Sequence, residues 1–186
     1  MQWNRHFDLS GQHAFLGASK YSWTRYDLEQ LERTYRTSMA AAHGTRLHEF
    51  AAEAIKLGIK LPRTSETLNR FVNDAIGYRM EPEQVLYVSE NAFGTADAIC
   101  FRRNKLRIHD LKTGVTKASV RQLEIYAAFF CLEYGFKPTA IDMELRIYQN
   151  DDVQIWEADP VVITEIMATT RAFDKRITEI RRAEGV

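Results

Sequence analysis

The sequence predicts an α+β fold, with a mainly antiparallel central sheet flanked by helices. Three observations predict it. Apolar residues recur at three- and four-residue spacing up to about residue 79, and at alternate positions beyond it. One later segment, Ser119 to Tyr134, is apolar almost all round, as a helix buried against a sheet must be. The elements run as helices, three strands, buried helix, two strands, helix. No linker rich in Pro, Gly or Ser divides the 186 residues, so 1–186 reads as a single domain.

Leu28, Leu31, Tyr35 and Met39 predict a first helix from about Tyr26 to Ala42. Gly44 is the expected stop, and Thr45 the expected cap of a second helix, Arg46 to Leu57. That helix carries Leu47, Phe50, Ala51, Ala54 and Ile55 on one side. Pro62 breaks the chain, and Leu68, Phe71, Val72, Ala75 and Ile76 predict a third helix over Glu66 to Arg79. Strands are expected at Gln84 to Ser89, Phe93 to Phe101 and Leu106 to Leu111. The last two join through the polar turn Arg102-Arg103-Asn104-Lys105. Gly135 ends the buried helix. Strands Ile141 to Tyr148 and Val153 to Trp156 flank the turn Asn150-Asp151-Asp152, and Pro160 opens a closing helix to about Arg182.

Twenty-five basic and twenty-five acidic residues cancel. Bulk charge therefore points to no partner and excludes a polyanion-binding tail, but not a local basic face. The two cysteines, Cys100 and Cys131, cannot build a four-thiolate zinc or iron–sulfur site. Both lie in apolar runs and are expected as buried free thiols in a reducing cytoplasm. Met1 to Lys20 lacks the apolar core of a signal peptide. The longest apolar run, Ile125 to Leu132, is far short of the roughly 20 residues that span a bilayer. A cytoplasmic protein with no membrane partner is expected.

The chemistry concentrates between Phe93 and Tyr126, FGTADAICFRRNKLRIHDLKTGVTKASVRQLEIY. Asp97 lies in one expected strand; Asp110 and Lys112 lie at the end of the next, two apart and so on one side. A hairpin about Arg103-Asn104 brings the two Asp residues to about the same level. Two carboxylates at a strand end make a hard-oxygen site suited to Mg²⁺ or Mn²⁺. A lysine beside them suits holding a water or offsetting charge on a phosphate. Against this stand a chance Asp-x-Lys pair and a turn or cap role for Asp97. Gln122 and Tyr126 are spaced i, i+4 and share a helix face, though Ser119-Val120-Arg121-Gln122 also fits a capping box and Tyr126 a core position. His48 suits metal ligation or helix capping; Glu49 and Glu53 read as solvated. From Arg102 to Arg121 seven basic residues face one acid, Asp110. Such a face suits phosphate contacts, or is simply a solvated rim. Asp151 to Glu165 is purely acidic and is expected to face away from nucleic acid.

In order, His48, GTAD ending at Asp97, Asp110-Leu111-Lys112 and Gln122-x-x-x-Tyr126 resemble the PD-(D/E)XK nuclease superfamily. The branch most resembled is the RecB-type and CRISPR-associated exonucleases, in particular their small phage and prophage members. HAFLGASKYSWTRY and GTRLHEFAAEAI add to the likeness, which runs from about His13 to about Tyr148. The resemblance implies a restriction-endonuclease-like core. It implies a divalent ion, Mg²⁺ or Mn²⁺, on His48, Asp97, Asp110 and the Leu111 carbonyl. It gives Lys112 the attacking water and the charged transition state, and gives Gln122 and Tyr126 a supporting role toward the scissile phosphate. Ala96 stands where the superfamily's name has proline, and the four cluster cysteines of the CRISPR-associated members are missing, so no iron–sulfur cluster is expected. The expected activity is metal-dependent hydrolysis of DNA phosphodiesters, exonucleolytic, in phage recombination or DNA processing within a bacterial host cell. The alternative is a catalytically silent module on the same fold that binds nucleic acid or protein. DNA is the expected partner; a homo-oligomer or a recombination partner protein stays open.

Overall fold

The computed structural model describes Phe7 and residues 13–185. The reading of Met1 to Lys20 falls largely outside them. Packing divides the chain between His43 and Gly44.

In the first unit a 3₁₀ segment, Ala18–Arg25, leads to helix α1, Leu28–Leu57, whose residues from Gly44 onward belong to the second unit. Asp27 caps α1, its Oδ1 accepting from Gln30 N at 2.7 Å. Phe15 packs edge-on against Tyr35, with ring centroids 5.0 Å apart. The expected apolar face is only partly covered here: Leu28, Tyr35 and Met39 are exposed.

α1 is one helix of 30 residues, not two. Gly44 was expected to stop it, yet it is buried inside the helix. A Cβ at Gly44 would lie 2.7 Å from Thr113 Oγ1. The glycine therefore serves a close approach by a neighbouring side chain, and its roughly 1 kcal/mol helix penalty is borne by packing rather than spent on a terminus. Thr45 consequently sits mid-helix and not at a cap.

In the second unit, helix α2, Thr67–Tyr78, ends on Arg79 in the left-handed region. Strands β1 (Glu81–Ser89), β2 (Ala92–Arg102) and β3 (Lys105–Leu111) follow. Helix α3, Arg121–Tyr134, crosses to β4 (Asp142–Gln149) and β5 (Asp152–Glu157), and α4, Pro160–Glu184, closes the chain. The sheet order is β1-β2-β3-β4-β5. The sheet is mixed: β1–β2, β2–β3 and β4–β5 pair antiparallel, but β3–β4 pair parallel. The parallel pair follows from the length of the α3 crossover, which a tight turn could not replace.

Two of the three hairpin turns, those of β2–β3 and β4–β5, are the ones the sequence marked. Arg103 and Asn104 both have positive φ, as do Asn150 and Asp151, as two-residue turns matching the strand twist require. Two apolar clusters lie on opposite faces of the sheet. On one, Leu106, Ile108, Leu145 and Ile147 pack against Leu123, Ala127 and Phe130 of α3 and Ile163 and Met167 of α4. On the other, Leu111 and Tyr148 pack against Ala51, Ala54 and Ile55 of α1 and Phe71, Val72 and Ala75 of α2. Cys100 and Cys131 are buried free thiols. Among the described residues no helix is long and apolar enough to cross a membrane.

Candidate metal centre

The β2–β3 hairpin pairs Arg102 with Lys105 and Ala98 with His109. Counting one residue further puts Asp97 level with Asp110. There the pairing stops. The Leu111 N–H, which a continued ladder would spend across the strands, donates to Asp97 Oδ2 at 2.8 Å. Beyond that point β3 is held from its other side, Lys112 N donating to Tyr148 O at 2.9 Å. The two strands thus part at the two carboxylates.

His48 reaches the fork from α1, its Nδ1 3.4 Å from Asp97 Oδ2. Its hydrogen bond to Asp97 raises the imidazole above its ordinary value against the opposing effect of burial. Glu49 and Glu53 are exposed, as read.

A fourth group was missed. One ligand atom each from His48, Glu83 and Asp97 lies within 4.8 Å of the others. Pro82 pairs with Ala98 and Gln84 with Ala96, so Glu83 stands opposite Asp97. Its φ of 51° is left-handed, costing a side chain about 1–2 kcal/mol. The expected strand began at Gln84 and so left Pro82 and Glu83 outside it. Yet β1 is an edge strand, where proline is tolerated. Extending the strand through Pro82 would have aligned Glu83 with Asp97.

Asp110 is 2% exposed. Burial pushes its carboxyl up to about 6, and the Asp97 charge adds to the rise against the pull of Lys112. Lys112 Nζ lies 3.0 Å from Oδ1 and 3.0 Å from Oδ2. Only the Oδ1 contact has hydrogen-bond geometry, and Oδ2 is buried without such a partner. Burial also raises the Glu83 carboxyl, helped by the Asp97 charge.

Gln122 does not close a capping box. Ser119 Oγ accepts from Arg121 N at 3.2 Å, while Gln122 turns to the carboxylates' lysine. Its Oε1 accepts from Lys112 Nζ at 3.0 Å, and its Nε2 donates to Tyr126 OH at 2.9 Å. A Cβ on Gly94 would lie 2.8 Å from Tyr126 Cε1, so the glycine of GTAD makes room for that ring. Asp97, Asp110, Lys112, Gln122, Tyr126, His48 and the Leu111 backbone therefore share one region, with Glu83 added.

Two carboxylates and an imidazole, from Glu83, Asp97 and His48, stand close enough together to hold a metal ion; Asp110 lies outside that trio, with one carboxylate oxygen buried and lacking a donor. Below them His109 is fully buried. Its Nδ1 lies 3.2 Å from Tyr148 OH, which donates to Asp74 Oδ2 at 2.7 Å. Burial, with Arg146 nearby, pushes the imidazole down to about 3. It stays neutral and serves as a packing group under Asp110. Comparison of the chain with protein-family models, curated proteins and solved structures finds no match in any of the three.

Proposed function

We propose that the chain is a metal-dependent deoxyribonuclease, an exonuclease of the PD-(D/E)XK type on a restriction-endonuclease-like core. The observation carrying this reading is Lys112, held between the buried Asp110 carboxylate and the Gln122 amide beside Asp97 and His48. Carboxylates alone serve many ends. A lysine fixed at their edge by a neutral amide suits a reaction that builds negative charge there.

Asp97, Asp110 and His48 would hold the cation, with Glu83 as a further donor. Mg²⁺ or Mn²⁺ suits the oxygen-rich set. Bound there, such an ion supplies charge neutralisation for a phosphodiester and lowers the pKa of a water. Lys112 orients that water by hydrogen bond and places positive charge beside the phosphoryl oxygens as attack proceeds. The water's oxygen bonds to phosphorus, the P–O bond to the leaving sugar breaks, and the proton ends on the leaving oxygen or solvent. Gln122 keeps the ammonium from swinging into water, and Tyr126 fixes the Gln122 amide the right way round.

The test is cleavage of end-labelled single- and double-stranded DNA with Mg²⁺, Mn²⁺ or EDTA, with Asp110→Ala and Lys112→Ala alongside. Cleavage should need the metal and fall at least about 10²–10³-fold in either variant. Folded protein that binds DNA yet leaves every substrate intact would identify a silent binding module instead.

A further inference from the structure

A marked charge asymmetry of the second unit lies away from the carboxylates. A pocket of about 470 Å³ is lined by Arg79, Arg102, Arg103, Lys105 and Arg107, with Asp142 the single acid and Tyr78 beside them. Five cations meet one carboxylate there in a chain whose net charge is zero. They come from three places: the left-handed end of α2, the tip of the β2–β3 hairpin, and the strand returning from it.

Two of the five are fixed from within. Lys105 Nζ pairs with Glu144 Oε2 at 2.9 Å, and Arg107 Nε lies 3.3 Å from Glu144 Oε1. The Arg107 guanidinium also sits 4.6 Å above the Tyr78 ring. Its Nε is buried without a hydrogen-bond acceptor. Among the described residues, Arg79, Arg102 and Arg103 pair with no carboxylate. All three are exposed. Cations gathered round one hollow repel one another and gain little from the fold, so the arrangement is suited to an anion from outside.

We infer that this pocket binds backbone phosphates of the nucleic acid whose chain also enters the carboxylate fork. The inference rests on the nuclease reading. The hairpin sets the spacing. Arg102 stands five positions beyond Asp97, or about 17 Å along the strand, equal to about five base-pair steps of B-form duplex at 3.4 Å each; an extended single strand covers it in fewer nucleotides. Contacts to phosphates carry no sequence information, so the pocket adds affinity and register without choosing a sequence. A long substrate engages fork and pocket together; a very short one reaches only the fork.

The experiment is DNA binding by fluorescence anisotropy in EDTA, over a NaCl series. The probes are a labelled 25-nucleotide strand, a 25-base-pair duplex and a two-nucleotide strand. The variant is Arg79→Gln/Arg102→Gln/Arg103→Gln, with the charge-keeping Arg79→Lys/Arg102→Lys/Arg103→Lys as control and thermal melting as the folding check. The glutamine variant should bind the long probes at least about tenfold more weakly. Its slope of log affinity against log salt should be shallower by about two, at roughly 0.7–0.9 for each phosphate no longer neutralised. The lysine variant should keep the parent slope, and the two-nucleotide probe should not distinguish the proteins. An unchanged slope in the glutamine variant overturns the inference, as does displacement of the long DNA by micromolar inorganic pyrophosphate, which assigns the pocket to a small free anion. Cleavage plays no part in the readout. An inert chain whose salt slope falls in the variant leaves the pocket standing without the nuclease, and an active nuclease with an unchanged slope keeps the activity without the pocket.

Discussion

Asp110 and His109 are chain neighbours that answer acid in opposite senses. The Asp110 carboxyl is raised to about 6 by burial, so the folded chain binds its proton more readily than the unfolded chain. Its contribution to stability is therefore lost as pH rises from about 4 to about 6. His109 is lowered to about 3, so the unfolded chain takes that proton first, and stability from this group grows between about pH 3 and 6.5. Over pH 4–6 the two slopes oppose. Asp110→Asn should remove the larger opposing slope, so that metal-free stability rises more steeply over pH 4–6 than in the parent in denaturant titrations. Metal affinity measured by calorimetry should strengthen through about pH 6, as the Asp110 proton ceases to compete. Glu83→Gln should raise the metal concentration needed for half-maximal cleavage several-fold without lowering the metal-free melting temperature, because it removes a like charge beside Asp97. An unchanged metal titration would return Glu83 to the status of a bystander. The residue pattern disclosed Asp97, Asp110 and Lys112 because hairpin register is simple counting. It hid Glu83, whose alignment needed a strand carried through a proline.

At the scale of elements, two glycines report how closely neighbours approach. Gly94→Ala would push the Tyr126 ring, its Cβ falling 2.8 Å from Cε1. Cleavage should drop with little loss of stability if the ring shifts and the amide of Gln122 is left without its anchor. Gly44→Ala should cost about 1–3 kcal/mol in denaturant melts, because the new methyl meets Thr113 Oγ1 inside a packed face. Thr113→Ala in the same chain should restore most of it, and a double-mutant cycle with no coupling would refute the contact. The hairpins, the crossover helix and the closing helix were legible from turn residues and apolar period. The unbroken α1 was not. A glycine after an apolar run reads as a stop, and only the side chain of a residue 69 positions later explains why this one is not. The parallel β3–β4 pair was hidden for a related reason, since strand direction is decided by the connection and not by the strand's own residues.

For the molecule as a whole, a neutral total conceals two opposed fields: an acidic fork and a basic hollow on one hairpin. Cation binding to the folded chain alone should raise the melting temperature. The gain is about 2.7 kcal/mol at a free ion concentration one hundred times the dissociation constant. Scanning calorimetry with Mn²⁺ and with EDTA checks it, and the rise should vanish in Asp110→Ala. The β2–β3 hairpin has a consequence for the order in which this chemistry is assembled. Its turn is two residues long, so its ends meet at little entropic cost. Lys112 is pinned only once the chain has crossed through α3 and laid β4 beside β3, its N–H then donating to Tyr148 O, a far less local step. The carboxylates are thus gathered early and their lysine is steadied late. A nascent chain halted before β4 would carry two facing acids and a lysine still without its anchor on Tyr148.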